Sequence, residues 1–179
     1  FHLLQELMVL WRTGDKSMST KYVISIDPGK TTGACLLEWS GNQDDLPVLK
    51  MSAELSAEEF ADWVELVLSI AFSSASHTYN SVYVVCERFV ITAQTVRNSQ
   101  APFSLEQIGV LKHICRVKEF GAENIIFQAP VDAKAMFSNE SLKKIGTWHK
   151  GGEGHALDAV RHALLRLTKS GWKPRILLE

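Results

Sequence analysis

KYVISIDPGKTTGACLLEWS, residues 21–40, decides the fold. KYVISI (21–26) is a short β-rich run that stops at Asp27-Pro28-Gly29. A tight Gly-bounded turn follows, and GACLLEWS (33–40) reads as a second strand. A polar loop with Gly41, Asn42 and Pro47 leads to a third run, VLKMSA (48–53). Runs joined this closely predict an antiparallel meander. Beyond it, Ser56 and Glu59 form a capping box, and Phe60, Val64, Val67, Leu68 and Ala71 share one helical face. SVYVVC (81–86) is a buried-type strand that ends at Glu87. Ser104 and Gln107 read as a second capping box, with Gly121 as the helix stop. NIIFQ (124–128) is a fifth strand, and residues 131–150 are basic with little pattern. A last helix spans roughly 154–169, closed by Gly171 and Pro174. The order βββαβαβα defines an α/β protein with a five-stranded mixed sheet flanked by helices.

The chain has 179 residues, 46% hydrophobic and 22% charged, which suits one globular domain and excludes a disordered one. No apolar run reaches the roughly 20 residues that span a bilayer, so no membrane partner is expected. Cys35, Cys86 and Cys115 lack zinc-site spacing. With an odd cysteine count and no signal peptide, they point to a reducing cytoplasm. Residues 1–17 carry Phe1, Leu4, Leu7, Met8 and Trp11 at helical spacing, ahead of a start-like Met18. They read as an amphipathic N-terminal extension or an added leader, with the functional domain at 18–179. Net charge is −1, but residues 38–65 hold eight acids against Lys50, and residues 134–175 hold nine bases against three acids. The basic third is either a polyanion-binding surface or a solvated face.

Asp27 ends the first strand in IDPGKTTG (26–33). Gly29-Lys30-Thr31 mimics the end of a phosphate loop, but Ile24 stands where that motif needs glycine, and a strand follows in place of a helix. Asp27 is thus either a turn residue or a functional acid. Glu87 ends an unbroken apolar strand, where a charge needs a task or an ion-pair partner such as Arg88 or Lys30. If the first and fourth strands are neighbours, both acids meet at one sheet edge, where ligands gather. In GEGHALDAVRHALLRL (152–167), His155 and Asp158 project from one helix face and His162 follows a turn later. His155 alone is also compatible with a polar helix cap. Carboxylate oxygens with one imidazole suit Mg²⁺ or Mn²⁺ better than structural zinc. Two such ions about 4 Å apart can hydrolyse a phosphodiester.

IDPGKTTG, VCERF (85–89) and HALDAVRHAL (155–164), in this order and spacing, resemble the RuvC-type Holliday junction resolvases of the RNase H-like superfamily. The resemblance covers about residues 20–170. It implies an RNase H-like fold, a crossover junction endonuclease on branched DNA, and a homodimer that nicks two strands to leave 5′-phosphate ends. It maps Asp27, Glu87, His155 and Asp158 onto the metal-binding catalytic tetrad, with two Mg²⁺ or Mn²⁺ ions per site. The sequence departs from the family at Arg88, where a second acid is common, and in the spacing of the junction-wedging aromatic, for which Phe89 is nearest. Lys30, Phe89, Arg97, Lys134, Lys143, Lys144 and Lys150 are the expected DNA contacts. Helix 104–120 is the expected dimer interface, through Leu105, Ile108, Leu111, Ile114 and Val117. An inactive RNase H-like nucleic-acid- or partner-binding module is the alternative, although all four ligand positions are filled. An ATP-using actin-like relative needs a second domain, for which 179 residues leave no room.

Overall fold

The structure is a computed structural model that describes residues 20–74, 81–91, 101–150 and 152–177. The expected leader at 1–17 and Arg97 lie outside the described residues. Three strands come first: β1 (Lys21–Asp27), β2 (Thr32–Trp39) and β3 (Val48–Leu55). Helix α1 (Ala57–Ser74), β4 (Val82–Glu87), α2 (Ala101–Val117) and β5 (Ile126–Gln128) follow. Two short helices, α3 (Pro130–Met136) and α4 (Asn139–Ile145), precede α5 (His155–Lys169). The strand order across the sheet is β3-β2-β1-β4-β5. β1–β2 and β2–β3 are antiparallel, as the meander requires, whereas β1–β4 and β4–β5 are parallel.

β1 is central, and Tyr22 through Asp27 are all buried. A strand covered on both faces cannot alternate apolar with polar, which is why KYVISI reads as a continuous run. Tyr22, Ile24 and Ile26 pack with Phe60, Val64 and Leu68 of α1 and Leu111 of α2. Val23 points the other way and joins Leu37, Phe137, Val160 and Leu164 under α3–α5. The molecule is therefore a three-layer sandwich with a core on each face of the sheet.

The α1 capping box forms as expected: the Ser56 N–H donates to Glu59 Oε2 at 2.9 Å, and the Glu59 N–H to Ser56 Oγ at 3.4 Å. The box expected at Ser104 and Gln107 does not. α2 starts earlier, at Ala101, so Ser104 already lies within it. The Ser104 hydroxyl instead donates to the Pro28 carbonyl at 3.0 Å, which ties α2 to the β1–β2 turn. The stretch 131–150 is also more ordered than its pattern suggests. Ser138 caps α4 by accepting the Ser141 N–H at 3.1 Å, and Gly146 ends it with φ 82°. Seven residues per helix are too few to display a period, and both helices are fixed by burying Ala133, Phe137, Leu142 and Ile145.

All three cysteines are buried, free core residues, and burial raises each thiol's pKa. No helix among the described residues is long and apolar enough to cross a membrane.

Candidate active site

β1 and β4 run parallel, with Ile26 opposite Cys86, so the next residues, Asp27 and Glu87, emerge together at the carboxyl end of the sheet. In β5, Gln128 pairs with Glu87 and extends that polar edge. Helix α5 crosses over it. His155 Nδ1 lies 3.0 Å from Asp27 Oδ2. Two turns later, His162 Nε2 lies 2.9 Å from Glu87 Oε2, while its Nδ1 lies 2.8 Å from Gln128 Oε1. One face of α5 thus reaches the polar ends of three adjacent strands. Asp158, between the two histidines, faces Lys134 of α3, whose Nζ is 2.8 Å from Asp158 Oδ2.

These groups share one electrostatic environment. Burial pushes the Asp27 carboxyl above its usual range; the charges of Glu87 and Asp158 add to this, and the His155 hydrogen bond opposes it. The hydrogen bond to Asp27 raises the His155 imidazole, against the effect of burial. The Lys134 ammonium is raised chiefly by its hydrogen bond to Asp158, with smaller contributions from the charges of Glu87 and Asp27. The structure therefore gathers Asp27, Glu87, His155 and Asp158, with a cation among the acids.

As the side chains stand, their donor atoms are engaged with one another. Arg161 Nη1 holds Asp158 Oδ1 at 2.5 Å, and its Nε donates to the Phe137 carbonyl at 2.9 Å. Among the described residues, no group of three or more His, Cys, Asp or Glu side chains is arranged to hold a metal ion. The chemistry of the donor set nevertheless fits one. Hard carboxylate oxygens and an imidazole face a shared region where the negative charges raise Asp27 and draw in an ammonium. Asp27, Glu87, Asp158 and His155 are the residues that would hold a divalent ion.

Glu87, for which the sequence offers Arg88 or Lys30 as an ion-pair partner, meets His162 instead. Arg88 is exposed, and its backbone N–H donates to the Gln128 carbonyl at 2.7 Å. The other expected DNA contacts scatter. Lys30 is exposed on the β1–β2 turn, Phe89 is half-buried just after β4, and Val90 and Ile91 beside it are exposed. Lys143 stacks over Trp148 at 4.9 Å, and Lys144 and Lys150 are exposed. Lys134 lies in the acidic cluster itself. Part of the basic third is used internally, since Arg161 holds Asp158, Arg166 covers the Tyr83 ring at 4.4 Å and Arg175 pairs with Asp44 at 3.2 Å.

Sequence reasoning assigned no role to His162, Gln128 or Glu54. His162 carries a signal, since it follows Asp158 by one turn on the same face. Gln128 is visible only as the polar end of an apolar strand. Glu54 Oε2 accepts from the Glu153 N–H, and its Oε1 from the Gly154 N–H, each at 2.7 Å. Nothing in the local sequence announces that pairing across about a hundred residues.

The five-stranded mixed sheet, its strand order and the flanking helices are those of the RNase H-like fold. Within that fold, the chain is similar to Thermus thermophilus RuvC in complex with a Holliday junction substrate, at 16% identity and a TM-score of 0.60. That match covers 84% of this chain and 94% of the other. Another Thermus thermophilus RuvC structure matches at 17% identity and a TM-score of 0.59, over 83% and 95% of the two chains. The yeast mitochondrial Holliday junction resolvase Ydc2 matches at 13% identity and a TM-score of 0.47, over 98% and 93%. At these identities the likeness is one of fold. No family model matches the chain, and no curated protein matches it by sequence.

Proposed function

We propose that this chain is a divalent-metal-dependent endonuclease that cleaves branched DNA, acting as a homodimer on four-way junctions. The observation that carries this reading is the gathering of Asp27, Glu87, His155 and Asp158 around Lys134 at the carboxyl ends of β1 and β4. The fold match to a RuvC bound to a Holliday junction substrate supports branched DNA as the substrate class. Asp27, Glu87, His155 and Asp158 would hold Mg²⁺ or Mn²⁺, as two ions, which would supply Lewis-acid charge at a phosphodiester and lower the pKa of a bound water. The chain's own residues supply the rest. Asp27 and Glu87 fix two carboxylates on rigid strand ends, and α5 presents Asp158 and His155 above them. His162 holds the Glu87 carboxylate from behind, and Gln128 in turn holds the other ring nitrogen of His162. Lys134 balances the charge of the acids, and exposed Lys30, Lys144 and Lys150 serve as contacts to the DNA backbone, with Lys143 and the Phe89 region.

The test is incubation with labelled four-way junctions, forks, flaps and linear duplex in Mg²⁺ or Mn²⁺. Cleavage of branched substrates is expected. Asp27→Asn, Glu87→Gln and Asp158→Asn should each abolish it, with junction binding within several-fold of wild type, because affinity comes from many phosphate contacts and chemistry from a few ligands. Binding without cleavage in either metal would favour the inactive nucleic-acid-binding module.

A further inference from the structure

Helix α5 carries two of the four tetrad residues, His155 and Asp158, yet its own sequence does little to fix where it starts. Its N-cap is Gly154, left-handed at φ 101°, which makes no side-chain cap. The donors at the start of the helix are taken instead by Glu54 of the edge strand β3. Glu54 Oε2 accepts from the Glu153 N–H at 2.7 Å, and Oε1 accepts from the N–H groups of Gly154 at 2.7 Å and Ala156 at 3.4 Å. Burial works against the charged form, but these backbone donors and that of His155 together hold the Glu54 carboxyl below its usual range.

The sheet register makes this clamp part of a larger seat. Glu54 pairs with Gly33, and Gly33 pairs with Asp27, so one cross-strand row reads Glu54–Gly33–Asp27. The first turn of α5 rests on that row. Glu54 grips its backbone. Gly33 lets it approach, since a Cβ there would overlap the His155 carbonyl. Asp27 takes the His155 side chain at 3.0 Å. At Gly152, φ is +64° and a Cβ would run into the Glu54 carboxylate, so the incoming chain is shaped around it. Two residues earlier on β3, Ser52 Oγ lies 2.9 Å from His149 Nε2 and ties the same segment to the edge strand.

We propose that Glu54 is a positioning residue: by clamping the first turn of α5, it sets His155 and Asp158 in register with Asp27 and Glu87. No hydrogen bond or ion pair joins it to the four tetrad side chains; its charge adds to that of Asp27 in raising the His155 imidazole, and its direct hold is on the backbone that carries His155 and Asp158. The proposal rests on the nuclease reading for its consequence in cleavage, and on geometry alone for the clamp.

The full chain is compared as wild type, Glu54→Ala and Glu54→Gln; Gln keeps the shape and one carbonyl acceptor, which guards against a variant that fails to fold. Amide hydrogen exchange at residues 153–156 should rise at least about tenfold in Glu54→Ala, with the later turns of α5 unchanged. Mn²⁺ affinity, read by calorimetry without DNA, should fall by roughly 10- to 100-fold, the usual effect of losing a group that orients metal ligands. On a four-way junction, kcat at fixed subsaturating Mn²⁺ should fall in step, with junction Kd within about twofold. Glu54→Gln should recover only part of each loss, because its carbonyl keeps one set of backbone donors while its NH2 faces the other. Unchanged exchange at 153–156 would overturn the clamp. Increased exchange with wild-type Mn²⁺ affinity would reduce Glu54 to a helix cap and overturn positioning. A wild type that neither binds Mn²⁺ nor cleaves any branched substrate would overturn the nuclease reading and the positioning role that depends on it, while the exchange data still decide the clamp.

Discussion

His155 and Asp27 each bind a proton more tightly in the folded chain than when free: hydrogen bonding to Asp27 raises the imidazole, and burial raises the carboxyl. A group with a raised folded pKa stabilises the fold below its unfolded pKa, and that contribution is lost as pH rises through the folded value. The metal-free chain should therefore lose stability as pH rises from about 6.5, the free imidazole value, into the range above it. The His155 side chain is 39% exposed, so solvent screening keeps this below about 1 kcal/mol. Mn²⁺ needs the deprotonated ring, so the gain in Tm on adding Mn²⁺ should grow with pH. His155→Ala should flatten both trends, as thermal melts between about pH 5.5 and 8.5 would show. Lys134 bears on the same balance. Its ammonium competes with a metal for Asp158 at 2.8 Å, so Lys134→Met should tighten Mn²⁺ binding several-fold, read by calorimetry. Unchanged affinity would place Lys134 outside the metal's reach.

At the scale of elements, α5 is held to the sheet by fit as much as by apolar burial. Gly33→Ala places a methyl group where the His155 carbonyl lies, and backbone on both sides leaves little room to give. The expected loss is about 1–3 kcal/mol by urea denaturation, the usual range for overpacking, with cleavage falling further than stability because α5 is pushed off Asp27. A stability loss with unaltered specific activity would mean that α5 shifts without disturbing the tetrad. The same helix shows what was legible in the sequence. Asp27, Glu87, His155 and Asp158 stood out because each breaks or ends a clear pattern, an apolar strand or a helix face. The meeting of Asp27 with Glu87 needed only the parallel pairing of β1 with β4, and α5 then had to cross that edge to bring in His155 and Asp158. The Glu54 clamp and the Lys134 contact were hidden, because both join segments far apart in sequence and neither carries a local period. Ser104 misled for a related reason. Its spacing to Gln107 fits a capping box, but its hydroxyl found a better acceptor at Pro28, supplied by tertiary structure.

For the whole molecule, the proposed activity needs two sites arranged like the two cut strands of a junction, which a C₂ homodimer provides. The structure narrows the surface of α2 that such a dimer would use. Leu111 and Ile114, expected at the interface, are only 0% and 4% exposed and belong to the core with Val64 and Leu68. Phe103 and Val117 remain 37% and 63% exposed, and Val110 lies between them as a partly buried residue packed on the core. These three recur every seventh residue, so they share one stripe of the helix. Paired with its symmetry mate, the stripe would remove from water what remains exposed of two apolar side chains per protomer, a fraction of the about 1.5–3 kcal/mol that full burial of each contributes. Phe103→Asp with Val117→Asp should shift a dimer at micromolar concentration to monomer, as sedimentation velocity would show. Far-UV circular dichroism should be unchanged, because neither residue belongs to the apolar clusters on the two faces of the sheet. Junction cleavage should fall, and nicks should appear on one strand at a time, because the second site is no longer delivered with the first. A double variant that stays dimeric would move the interface off α2. A wild type that is monomeric with and without junction DNA would remove the symmetric-cleavage part of the proposed function and leave the tetrad chemistry standing.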